Sequence, residues 1–168
     1  MATTYVKIGS TVTVGAGGAA SIEWTGISSS YTDLLVKVSA RDDRSGYAIN
    51  NLVVNFNNTS TTYTGKQIYY ANSGSAASGN NYYGSVPSPV DTASVFSSTD
   101  IYIPNYTSSN QKSFSIDDAS EGDSTYFSVG FSAGLWNGTS AINQITLSAL
   151  SANFVQYSTA TLYGISKS

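Results

Sequence analysis

Residues 127–136 read Phe-Ser-Val-Gly-Phe-Ser-Ala-Gly-Leu-Trp. Phe127, Val129, Phe131, Ala133 and Leu135 fall on one parity, and Ser128, Gly130, Ser132 and Gly134 on the other. Successive side chains of an extended strand point to opposite sides, so a period of two marks a strand with unlike faces. The apolar parity is predicted to face a core and the hydroxyl parity to face solvent. Trp136 falls on the polar parity just before the Asn137-Gly138 turn, and is therefore predicted to be exposed.

The same period extends in both directions from this stretch. Upstream, Leu34, Val36, Val38 and Ala40 alternate with Leu35, Lys37, Ser39 and Arg41, and Leu52, Val54 and Phe56 alternate with Val53, Asn55 and Asn57. Ile101 and Ile103 flank Tyr102, and Phe114 and Ile116 alternate with Ser113, Ser115 and Asp117. Downstream come Ile145, Leu147 and Ala149, then Tyr163 and Ile165. Nearer the N-terminus, Val6, Ile8, Val12, Val14, Ile22 and Trp24 read alike, with Trp24 on the core parity. Turn residues punctuate these runs at Ser45-Gly46, Asn57-Asn58, Glu121-Gly122-Asp123 and Asn137-Gly138. No window carries a helical apolar stripe of ten residues. Eight to ten short strands predict an all-β antiparallel sandwich, with a jelly roll as first choice and an immunoglobulin-like order as the alternative.

At 168 residues the chain is expected to form one domain, 1–168. Residues 1–18 are expected to form an N-terminal arm. Residues 72–90, rich in Ser, Gly, Ala and Asn, are expected to form a long loop that either presents Tyr82 and Tyr83 to a partner or crosses between sheets.

Composition narrows the function. The chain has no cysteine and no histidine, which removes disulfides, thiolate metal sites and the commonest general base. Seven Lys+Arg against ten Asp+Glu give a net charge of −3, with none of the clustered basic residues that bind nucleic acid or anionic membranes. No apolar run approaches the roughly 20 residues of a membrane span, and the first residues lack the pattern of a signal peptide. Thirteen tyrosines replace charge as the means of contact.

Four acidic residues, Asp117, Asp118, Glu121 and Asp123, form the densest oxygen-rich cluster and are the Ca²⁺ candidates, weighed against an ordinary solvated turn. Asp42 and Asp43 lie between Arg41 and Arg44 and read as a salt-bridged surface loop. No Gly-x-Ser-x-Gly elbow is present, and only Glu23 and Glu121 are glutamates, so no catalytic residue is assigned and no cofactor is expected. Tyr82, Tyr83, Tyr102, Tyr106 and Trp136 are the contact candidates, with Tyr69 and Tyr70 adding to an aromatic surface that could meet a glycan. The acceptor patterns at Asn57/Asn58, Asn105 and Asn137 are what chance supplies in a chain this rich in Asn, Ser and Thr.

The serial order of several segments carries a resemblance. The strand 33–38 is followed by Ser39-Ala40-Arg41-Asp42-Asp43-Arg44, then Leu52-Val53-Val54-Asn55-Phe56-Asn57 and Asp100-Ile101-Tyr102-Ile103-Pro104-Asn105-Tyr106. Ile145-Thr146-Leu147-Ser148, Asn153-Phe154 and Thr161-Leu162-Tyr163-Gly164-Ile165 complete the series. Over residues 20–166 the chain resembles small virion structural proteins of tailed bacteriophages. The resemblance implies a non-enzymatic particle protein, first of all a capsid decoration (cement) protein. Its partners would be the major capsid protein and other copies of itself, as a homo-oligomer such as a trimer. A tail- or fibre-associated module binding a receptor or glycan is the alternative, and a glycan-degrading enzyme is the least favoured.

Overall fold

The computed structural model describes residues 4–59, 62–71, 75–79 and 83–166. These form twelve strands: β1 (Thr4–Thr13), β2 (Ser21–Thr25), β3 (Asp33–Ser39), β4 (Ile49–Phe56), β5 (Tyr63–Ala71), β6 (Ser75–Gly79), β7 (Gly84–Pro87), β8 (Ser98–Ile103), β9 (Lys112–Glu121), β10 (Phe127–Trp136), β11 (Gln144–Ala149) and β12 (Thr159–Ser166). An eight-stranded sheet has the order β1-β12-β3-β8-β9-β10-β5-β6, and a four-stranded sheet the order β2-β11-β4-β7. Every pairing is antiparallel. The two sheets stack as a β-sandwich, as the alternation predicts.

The inner faces obey the predicted parity on most strands. Leu34, Val36 and Val38 of β3, Ile101 and Ile103 of β8, and Phe114 and Ile116 of β9 are buried against Ile22, Leu52, Val54, Phe56, Ile145 and Leu147 of the smaller sheet. Phe56 is the aromatic centre, with ring centroids 5.2 Å from Phe114, 5.8 Å from Trp136 and 6.0 Å from Tyr63. Side chains of this size each remove about 150–250 Å² from water, so the cluster joins the two sheets.

β10 inverts the prediction. Ser128, Gly130, Ser132, Gly134 and Trp136 point inward, while Phe127, Val129, Phe131, Ala133 and Leu135 point outward. The cause lies on β9. Phe114, opposite Gly134, lays its ring across β10, and a Cβ on Gly134 would stand 2.1 Å from Phe114 Cζ. Asp118 does the same opposite Gly130, where a Cβ would stand 2.5 Å from Oδ1. The bulk that fills the core beneath β10 therefore comes from its neighbour, and only small residues fit under it.

Three further expectations are corrected. Residues 4–13 are not a free arm: β1 pairs with β12 from Thr4–Ser166 to Thr13–Thr159, with an irregularity between Ile8 and Val12, and Val14 N continues to Ser158 O at 2.8 Å. Residues 72–90 are not one loop, since Ser75–Gly79 pairs with β5 and Gly84–Pro87 pairs with β4. β7 is buried at all four positions, so a single apolar residue, Val86, suffices for a strand enclosed on both sides. Finally, Arg41 and Asp42 do not form a surface ion pair. Arg41 is buried and its guanidinium donates to the carbonyls of Ser88, Asp91, Thr92 and Val95 at 2.8–3.2 Å. Asp42, fully buried, accepts from Ser88 Oγ at 2.6 Å, Arg44 N at 3.2 Å and the Asn50 amide. The arginine thus pins the 88–95 connection instead of neutralising its neighbour.

Candidate interaction surface

The sequence-derived contact residues separate on the structure. Trp136 is buried in the aromatic core, with 1% of its surface exposed, because β10 turns its polar parity inward. Tyr106 is also buried, and its hydroxyl donates to Ser28 O. Tyr82 lies outside the described residues. Tyr83 is partly buried, and its carbonyl accepts from Gln67 Nε2 at 3.1 Å and Ser132 Oγ at 2.9 Å, so its backbone is anchored. Tyr102 alone among the described candidates stands clear on the outer face of the large sheet. Its hydroxyl donates to Asp33 Oδ2 at 2.9 Å, and partial burial, followed by that carboxylate, raises its pKa.

The four acidic Ca²⁺ candidates do not converge. Asp117 and Asp118 are consecutive on β9, so Asp117 faces solvent while Asp118 points between the sheets. Glu121 Oε1 accepts from Asp123 N at 2.7 Å and shapes the turn, where Asp123 adopts a φ of 50°. Among the described residues no three acidic groups are placed to share a metal ion. Asp118 has no hydrogen bond to either carboxylate oxygen, and burial raises its pKa, with Ser85 beside it easing part of the penalty.

Lys112 is buried too. Its ammonium donates to the carbonyls of Ser108, Asn110 and Ser140 at 2.6–2.7 Å and sits 5.5 Å from the Trp136 ring centroid. Burial lowers its pKa. It ties two connections together at one end of the sandwich and faces no cleft.

What the sequence reading missed is the outer face of β10 and β5. Register places Val129 opposite Tyr70 and Phe131 opposite Ile68. All four are exposed: Ile68 by 64%, Val129 by 55%, Phe131 by 48% and Tyr70 by 44%. Tyr70 and Phe127 add a ring contact at 5.3 Å. Charge borders this patch. On one side Asp117 lies opposite Phe131 and next to Asp100, which is held by Lys37 at 2.7 Å. On the other side Lys66 lies opposite Ala133. An apolar centre with a charged rim is the anatomy of an association surface. The signal was present in residues 127–136, but it was assigned to the wrong side of the sheet.

Comparison with known proteins finds no protein family, no curated protein and no solved structure that matches the chain.

Proposed function

We propose that the chain is a bacteriophage virion structural protein, a capsid decoration (cement) protein that binds the major capsid protein and stabilises the head. The observation that carries this reading is the apolar outer face of β10 and β5. It offers area and a rim where an enzyme needs a cleft with convergent acid–base groups. Cement acts by burying surface between subunits that would otherwise part, and about 800 Å² per partner is enough for a stable contact.

The strand order adds support. Within it, the runs β1-β12-β3-β8 and β2-β11-β4-β7 follow the strand order of the two four-stranded sheets of a jelly roll. In this reading β5–β6 and β9–β10 are insertions that widen one sheet, and the jelly roll is an architecture that viral capsid proteins use. The widening strands are the ones that carry the apolar face.

Cryo-electron microscopy of intact particles carrying the chain tests the reading. Density repeated over the capsid lattice, together with heads that lose DNA at lower temperature when the protein is absent, is the expected result. A few copies confined to the tail or a vertex would overturn it. That outcome favours a receptor- or glycan-binding module, for which the Tyr70–Phe127 aromatic pair is the natural sugar-stacking platform.

A further inference from the structure

We infer that the apolar outer face of β10 and β5 is covered by the same face of a second copy, in a two-fold dimer whose axis runs along the strands between β10 and β5. The inference rests on the reading above that this face is an association surface; it commits the face to a second copy and leaves capsid contact to the remaining outer surface of the dimer.

The patch is complementary to itself about that line. Rotation about an axis between the two strands sets the partner's β5 over β10 and the partner's β10 over β5. The register then places Phe131 over the partner's Ile68 and Tyr70 over the partner's Val129. Each contact matches an aromatic ring with a branched aliphatic side chain. Such a rotation also keeps the strands of the two sheets nearly aligned, the arrangement in which stacked sheets interdigitate at a spacing of about 10 Å.

Charge selects this axis over the one at right angles. A two-fold axis across the strands at the level of Phe131 would set Asp117 and Asp100, which share its row, against their own copies. Like charges held face to face oppose association. The axis along the strands instead brings the partner's Lys66 over Ala133, one strand across and two residues along from Asp117. Those steps are about 4.8 Å and about 7 Å, which a lysine side chain covers. Each dimer then gains two such pairs at the rim. The outer faces of β9, β10 and β5, nine or ten residues each, span about 14 Å by about 30 Å. With side-chain relief this approaches the roughly 600 Å² per partner at the lower end of standard interfaces.

Sedimentation velocity on the full chain between about 1 and about 100 μM tests the inference, since interfaces of this size associate in and below that range. A dimer is expected. Phe131→Glu should weaken it at least 100-fold with an unchanged circular dichroism spectrum, because the side chain it replaces is solvent-facing. Phe131→Ser, which brings no charge, should weaken it at least tenfold and guards against misfolding of the first variant. Lys66→Asp and Asp117→Lys should each weaken the dimer severalfold, and the double variant should restore it. A monomer throughout, a trimer, or a dimer indifferent to both Phe131 variants would overturn the inference. A co-sedimentation assay with capsids separates the two readings. Wild-type chain that binds capsids yet stays monomeric sinks the dimer alone. A dimer that ignores capsids sinks the cement reading alone.

Discussion

Asp118 places a carboxylate between the sheets with no hydrogen bond to either oxygen. Thr99 and Gly130 lie opposite it on β8 and β10, Ser85 faces it from β7, and the nearest like charge is Asp117 on the other side of β9. Desolvation, the largest influence, raises its pKa. The folded chain therefore binds this proton more tightly than the unfolded chain does. Its contribution to stability is greatest below the ordinary aspartate range and is lost as pH rises through the raised folded value. Asp118→Asn, which cannot ionise, should gain about 1 kcal/mol at pH 7 and flatten the decline of stability above pH 4, read by urea unfolding across pH. Equal losses at every pH would show that the carboxylate itself is needed. Arg41 is the converse case of a buried charge with full partnership. An ammonium cannot reproduce a planar fork that serves four carbonyls, so Arg41→Lys should cost about 2–3 kcal/mol and raise amide exchange in residues 88–97 first.

At the scale of the element, β9 and β10 have to be read as a pair. Gly134 is empty because Phe114 occupies its space, so Gly134→Ala should destabilise the fold by about 1–3 kcal/mol, whereas Phe131→Ser on the opposite face, compared at a concentration where the chain is monomeric, should change unfolding by no more than about 0.5 kcal/mol. Thermal unfolding of the two variants compares inner and outer faces directly, and the reverse ranking would mean that β10 faces the other way. The period of two in residues 127–136 was enough to place the strand, because alternation follows from backbone geometry alone. Which parity faces the core depends on the strand alongside, whose Asp118 and Phe114 lie 12 and 20 residues from Gly130 and Gly134, and no window on β10 contains that information. Trp136 was misassigned for the same reason. β7 escaped notice because a strand enclosed on both faces needs no alternation, and Gly-Ser-Val-Pro offers none. The buried Arg41, Asp42 and Lys112 were hidden because their partners are backbone carbonyls, amides and hydroxyls, which leave no pattern in side-chain spacing.

Over the whole molecule, two antiparallel layers follow from composition and period, while the unequal widths of the sheets do not. The smaller sheet covers the strands that carry apolar inner residues. The larger sheet runs past it on both sides, to β1 at one edge and β6 at the other. The Phe131–Ile68 row lies on the outer face of strands whose inner face the smaller sheet covers, so its exposure follows from which parity turns outward and not from the overhang. The pairing of Thr4 with Ser166 has a practical corollary. The start of β1 and the end of β12 lie side by side at one corner, on the edge seven interstrand steps, about 34 Å, from β6. Peptides grafted before β1 and after β12 would hang together from that corner as a pair of neighbouring tethers, leaving the apolar face clear.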